Sequence, residues 1–275
     1  MKIYISVDGE GASGVTTAAE MKPGNSFCNK MMTLDVNAAV QGAFEGGATE
    51  VVVNDSHWGD NNIDMELLDP RVDIMRGGNK HLGMVDAINE GFDGAYFIGY
   101  HARAGGSDGV GNESNWGREI IEVRMNGKPV GEAEVNAAIA GYFDVPVIMV
   151  SGDDCFCNEI RKTLPGVEIA IVKHAINRFS ARCLSLDKAH MVIHDAAYKA
   201  VRGITSHQPY KVSGPIEIET EFMSTAEASI ASVMPGSIRK SHRIVAYTGK
   251  DPVDAYKGFV SVQLIGCTAS DEIYG

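Results

Sequence analysis

A chain of 275 residues is long enough for one large domain or two small ones, and it can bury a substantial core. Its hydrophobic share of 44% and charged share of 22% are those of a soluble globular protein. A formal net charge of −12 argues against nucleic acid or an anionic membrane surface as partner, because both call for basic patches, whereas a carboxylate-rich metal site would add to such an excess.

Met1-Lys2-Ile3-Tyr4 enters a strand pattern directly, without an apolar leader, and no apolar run approaches the roughly 18 residues of a membrane span. The five cysteines form no disulfide framework, so a cytoplasmic protein with reduced thiols is expected. The isolated pair Cys155 and Cys157 reads as free thiols rather than a metal or redox motif.

In chain order, residues 2–7 alternate as a strand and open into a glycine-rich loop, and 31–44 carry helical periodicity closed by Gly46-Gly47. Residues 50–53 form a short apolar strand ahead of Asn54-Asp55-Ser56-His57. A helical turn at 65–68, a strand at 72–75 and a helix at 81–89 stopped by Gly91 come next. Residues 95–98 read as a buried strand leading into Gly99-Tyr100-His101, and a long Gly/Ser/Asn loop covers 103–117. The alternating segment 119–125 turns at Asn126-Gly127 into a return strand at Pro129-Val130. A helix at 132–142, a strand at 145–150, a helix at 154–164, a strand at 167–172 and a helix at 187–201 follow. This alternation predicts an α/β fold with a mainly parallel central sheet flanked by helices. From about residue 206 the pattern changes to strand 216–222, helix 226–233, strand 243–247 and helix 251–263. The expected organisation is an α/β metal-binding catalytic domain over 1–205, with a smaller α+β portion over 206–275 packed on it.

Polar clusters come immediately after the strands. Asp8 and Glu10 follow the first, Asp55 and His57 the second, and His101 the strand at 95–98. In an open parallel sheet the carboxyl ends of the strands share one edge, where ligands bind, so these segments are expected to converge. Two carboxylates and two imidazoles are a ligand set for zinc or a similar divalent metal. Glu132, at the start of the helix after the hairpin, offers a third carboxylate, which is enough for two metals about 3.5–4 Å apart around a shared bridge. Each residue alone has an ordinary alternative: a turn cap for Asp8, a solvated loop carboxylate for Glu10, packed histidines at 57 and 101, a favourable helix-start charge at Glu132. Their common placement favours the metal reading. His190 and His194 have i,i+4 spacing but lack the glutamate of a zincin helix. Gly9-Glu10-Gly11-Ala12-Ser13-Gly14 matches the dinucleotide fingerprint in form only. The next helix starts near residue 30, and Asp8 and Glu10 would repel a pyrophosphate.

These residues resemble the metal-dependent D-aminopeptidases of the DppA type. The matching segments are Ser6-Val7-Asp8-Gly9-Glu10-Gly11 with Ser13-Gly14, Val53-Asn54-Asp55-Ser56-His57, Gly99-Tyr100-His101-Ala102-Arg103-Ala104, Pro129-Val130-Gly131-Glu132 with Asn136-Ala137, and Asp144-Val145-Pro146-Val147 through Gly152-Asp153-Asp154. Weaker matches, such as Cys183-Leu184-Ser185 and Met234-Pro235-Gly236, extend the resemblance over most of the chain. The resemblance implies a dinuclear zinc site on Asp8, Glu10, His57, His101 and Glu132. It also implies a large ring-shaped homo-oligomer, a decamer in the characterised member, and small peptide substrates with an N-terminal D-amino acid, such as D-Ala-D-Ala. One departure stands out: the family histidine on the loop after His101 is missing, and its position falls near Asn112 or Glu113.

The expected activity is hydrolysis of a small peptide, with Asp8 as the bridging carboxylate and Glu113 as proton shuttle. Asn54 or Asp55 would orient ligands, and Arg103 would meet a substrate carboxylate. The alternatives are a zinc amidase acting on cell-wall fragments or other non-peptide amides, and a non-catalytic metal-binding assembly that has lost its base with the loop histidine.

Overall fold

The computed structural model describes residues 1–270. In chain order its elements are β1 (Lys2–Val7), α1 (Ser26–Gly46), β2 (Glu50–Asp55), β3 (Asp73–Met75), β4 (Gly94–Tyr100), β5 (Ile120–Met125), β6 (Lys128–Val130), α2 (Glu132–Tyr142), β7 (Val147–Asp153), α3 (Asp154–Thr163), β8 (Glu168–Asn177), β9 (Ser180–Cys183), α4 (Leu186–Arg202), β10 (Ile216–Phe222), α5 (Thr225–Ala231), β11 (Ser237–Arg239), β12 (Ile244–Gly249) and α6 (Pro252–Cys267).

Seven strands form one sheet in the order β3-β2-β1-β4-β7-β8-β9, parallel except for the β8–β9 hairpin. This is the mainly parallel α/β architecture that the strand-helix alternation predicts. β1 is central, and its Ile3, Tyr4, Ile5 and Val7 are fully buried, as a strand covered on both faces requires. One face is covered by α1 and α4, whose Met32, Val36, Ala39, Ile193, Ala197 and Ala200 share a core with Ile3, Ile5 and Val53. α1 is bounded by strong stop signals. The Asn25 side chain accepts from the Phe27 and Cys28 amides, and Gly47 takes φ +110° at the other end. The opposite face is packed by α2, α3 and α6 together with Phe97, Ile139, Phe156 and Phe259.

The second sheet is antiparallel, in the order β11-β12-β10-β5-β6. Its centre pairs Ile218 of β10 with Met125 of β5, so the C-terminal segment completes a sheet begun by the mid-chain hairpin. A boundary near residue 205 therefore runs through a continuous sheet.

Three local expectations change. Residues 81–89 do not form a helix; only a 3-10 turn at Gly83–Val85 is present, because Gly83 (φ +51°) and Ala87 (φ +60°) adopt left-handed backbone that breaks helical hydrogen bonding. α1 starts at Ser26 rather than 31, at its Asn25 cap. The short edge strands β9 and β11 have no period long enough to stand out in the sequence. Among the described residues no helix is long and apolar enough to cross a membrane.

Candidate metal centre

The order of the main sheet reverses at β1, with β2 on one side and β4 on the other. The carboxyl ends of β1 and β4 therefore border the crevice where open α/β sheets place ligands. Two backbone bonds stitch this edge: the Asp8 amide donates to the Ile98 carbonyl at 2.8 Å, and the Gly11 amide to the Gly99 carbonyl at 2.8 Å. The approach needs glycine. A Cβ on Gly11 would run into the Tyr100 carbonyl oxygen, and Gly99 itself takes φ +70°. Gly11 of the apparent dinucleotide fingerprint thus lets β1 and β4 close together, and no helix opens on the motif.

The crevice gathers the five residues expected there. His57 Nδ1 lies 3.1 Å from Asp8 Oδ1 and 3.1 Å from Glu10 Oε2. His101 Nε2 lies 3.3 Å from Asp8 Oδ2 and 3.5 Å from Glu132 Oε2. Asp8 is therefore shared, with one oxygen toward each imidazole. All five side chains are buried, and Asp8 Oδ2 has no hydrogen-bond donor. A buried carboxylate oxygen left unmatched in a nest of carboxylates and imidazoles fits a cation. Both rings are also oriented from behind. His57 Nε2 faces the Met21 carbonyl at 2.9 Å, and His101 Nδ1 the Ala102 carbonyl at 3.0 Å. A carbonyl only accepts, so each ring donates N–H there, and in the neutral tautomer the other nitrogen aims its lone pair into the cluster. His57 is itself buried while the neighbouring Trp58 is exposed, so the histidine is not a surface residue.

Burial alone would discharge these groups, but their mutual attraction outweighs it. Desolvation opposes charge on His57 and His101, yet Glu10, Glu132 and Asp8 hold both imidazoles well above the ordinary histidine range. Against its own desolvation, Asp8 is held far below the usual carboxylate range by His101 and His57.

Glu113 is half-buried on the loop crossing the cluster, and its carboxylate, His101 and Glu132 offer ligand atoms within 4.8 Å of one another. Burial pushes its carboxyl well above the normal range; Glu132, Glu10 and Asp8 push it further, and His101 opposes. The loop is pinned by the Val110 amide on Asp153 (2.6 Å), the Glu113 amide on the Ala102 carbonyl (3.2 Å) and the Asn115 amide on Glu132 Oε1 (2.6 Å).

Other sequence candidates take structural parts. Asp55 accepts from the Asn62 and Ile63 amides and from Asn62 Nδ2, shaping the turn after His57 without touching its ring. Asn54 binds Lys80 and the Gly83 carbonyl. The Arg103 guanidinium is committed to Glu122 at 3.3 Å and Glu159 at 3.6 Å. His190 and His194 turn to different carboxylates, Asp35 and Glu45. Asp153, Asp154 and Cys155 cluster, but both Asp153 oxygens are taken by the Val110 and Phe156 amides.

Sequence reasoning missed Lys173. This fully buried side chain on β8 donates to the carbonyls of Glu10 (2.6 Å), Ala12 (2.9 Å) and Val15 (2.5 Å). Burial pulls its pKa down to about 8. A lone charged residue in an otherwise apolar run, Ile169-Ala170-Ile171-Val172-Lys173, was the available signal.

Comparisons with known proteins place the chain in a family. A family model described as D-aminopeptidase (peptidase M55) matches residues 1–261. A D-aminopeptidase of Bacillus subtilis (strain 168) is 37% identical over 267 residues, covering 94% of this chain and 96% of its own. A solved structure, the Zn-dependent D-aminopeptidase DppA from Bacillus subtilis, described as a self-compartmentalizing protease, superposes with a TM-score of 0.95 at 34% identity, covering 98% of this chain and all of its own. The chain belongs to the M55 family of D-aminopeptidases.

Proposed function

We propose that this protein is a dinuclear zinc aminopeptidase cleaving small peptides with an N-terminal D-amino acid. The observation that carries the reading is the shared Asp8 carboxylate, facing an imidazole on each side with one buried oxygen unmatched. Asp8, Glu10 and His57 would hold one zinc ion, and Asp8, His101 and Glu132 the other. When bound, zinc supplies Lewis acidity, drawing the pKa of a water toward neutrality and polarising a carbonyl.

The chain's own residues do the rest. Met21 and Ala102 fix the two rings through their carbonyls. Glu113, whose carboxylate lies beside His101 and Glu132, takes a proton from water and passes it to the leaving amine. The pinned loop over the cluster limits water around the reacting groups. Assembly into a ring-shaped homo-oligomer, which would restrict substrates to short peptides, is supported by the self-compartmentalizing description of the Bacillus subtilis structure. A cytoplasmic setting is supported by five free cysteines.

Metal analysis of the purified protein, paired with a panel of D- and L-dipeptides and simple amides, tests the proposal. About two zinc ions per subunit with preferential turnover of D-aminoacyl dipeptides is expected. Zinc-loaded protein that cleaves amides but no D-aminoacyl peptide would transfer the assignment to an amidase.

A further inference from the structure

The β8–β9 hairpin carries a cation to the mouth of the centre. Its turn residue Arg178 accepts the Gly111 amide on its carbonyl at 2.8 Å, and its Nη2 donates to the Gly117 carbonyl at 3.0 Å. Both contacts border the cluster. Gly111 packs against Glu10, where a Cβ would lie 2.7 Å from Glu10 Cγ. A Cβ on Gly117 would lie 3.1 Å from Glu113 Oε2 and 3.5 Å from Arg178 Nη2, so the guanidinium stands just across Gly117 from the Glu113 carboxylate. Arg178 is exposed, and among the described residues it has no carboxylate partner. Arg103, by contrast, is matched by Glu122 and Glu159.

This placement answers an electrostatic problem. Asp8, Glu10, Glu113 and Glu132 line the crevice, and a free peptide brings a further carboxylate toward them. In a dipeptide that carboxylate belongs to the residue just past the scissile bond, whose Cα is about 3.8 Å from the preceding one. A dipeptide with its scissile carbonyl at the cluster would therefore hold its carboxylate within a few ångströms of the crevice, and Arg178 puts a guanidinium without a carboxylate partner just across Gly117 from Glu113. The guanidinium fork matches a carboxylate bidentately and stays charged at any working pH. We propose that Arg178 binds the C-terminal carboxylate of the substrate and so selects free dipeptides over C-terminally blocked ones, an inference that rests on the aminopeptidase reading.

The test compares zinc-loaded full-length wild type, Arg178→Gln and Arg178→Lys on D-Ala-D-Ala and on D-Ala-D-Ala amide. In Arg178→Gln the kcat/KM ratio of acid to amide is expected to fall about tenfold or more, through KM for the acid, as loss of a charge-assisted contact implies. Arg178→Lys should recover part of the ratio, which a packing role for the guanidinium would not produce. An acid-to-amide ratio unchanged in Arg178→Gln, or equal losses on both substrates, overturns the inference while leaving the peptidase reading intact. Wild-type protein inert on both substrates overturns both.

Discussion

The ammonium of Lys173 lies 2.6 Å from the carbonyl oxygen of Glu10, directly behind the loop that presents Asp8 and Glu10 to the crevice. It is the fixed end of that loop. With the Ala12 and Val15 carbonyls it closes three backbone contacts that no water reaches. A buried lysine without a carboxylate on its Nζ is costly, and all three of its bonds go to the loop.

Lys173→Met should leave three buried carbonyls without donors and cost roughly 2–4 kcal/mol, the lost charged hydrogen bonds being partly offset by relief of desolvation. Denaturant unfolding of metal-free protein reads this cost, and chelator competition reads a weakened zinc affinity beside it. Unchanged affinity in a folded variant would reduce Lys173 to a core residue with no bearing on the centre.

Sharing of Asp8 makes metal content non-additive. His57→Ala and His101→Ala should each retain about one of about two zinc ions per subunit, whereas Asp8→Ala should lose nearly both, since a bridging carboxylate serves each site. Elemental analysis after gel filtration reports the counts. Equal retention in all three variants would contradict a shared carboxylate.

The imidazoles set opposite pH dependences for metal-free and metal-bound protein. In the metal-free fold, His57 and His101 are held above their ordinary range by the facing carboxylates. Their contribution to stability is thus complete below the unfolded histidine value of about 6.5 and is lost as pH rises through the raised folded values. Zinc needs both rings neutral, so its affinity should rise over the same window and its binding should release protons. Thermal melts with chelator and with zinc, from about pH 6 to pH 9, should therefore diverge, the chelated Tm falling as the zinc-dependent increment grows. A chelated Tm flat across that range would remove the imidazolium–carboxylate pairs from the account.

Gly11→Ala should be among the most damaging single changes to the site. The added methyl meets the Tyr100 carbonyl and must part the ends of β1 and β4, moving Asp8 away from His101. Loss of zinc with most secondary structure kept, read by elemental analysis and circular dichroism, is the expected result; full zinc content would show that the edge can yield.

The sequence made the candidate ligands legible because each comes soon after a strand, and strands were readable from their apolar runs; bringing Asp8, His57 and His101 together needed only the rule that parallel strands end on one edge. What it hid were contacts set by loops and by position across the sheet. Lys173 acts 163 residues away from Glu10, and no local pattern links them. Arg103 looked available because it adjoins His101, but Glu122 and Glu159 come from a strand and a helix that only the fold brings beside it. The 81–89 segment has helical composition, and its failure lies in the left-handed backbone at Gly83 and Ala87, where the chain instead meets Tyr256 of α6. The C-terminal segment read as a smaller α+β portion, and its pairing with β5 was not legible because that strand lies about a hundred residues upstream.

Glu113→Gln decides between an active enzyme and an assembled metal shell. The substitution keeps the shape and removes the group that accepts a proton. It also removes one of the carboxylates crowding Glu132, so zinc content should be kept. As a lost general base it should lower kcat by about 10²–10⁴-fold with KM little changed. The acidic limb of the wild-type pH–rate profile should also change in the variant, because the Glu113 carboxylate no longer contributes to it. If wild type and Glu113→Gln show the same measurable kcat and the same acidic limb, the proton moves through another group. If both are inert on every peptide and amide while fully loaded with zinc, the centre binds metal without catalysing, and Glu113 does not act as its base.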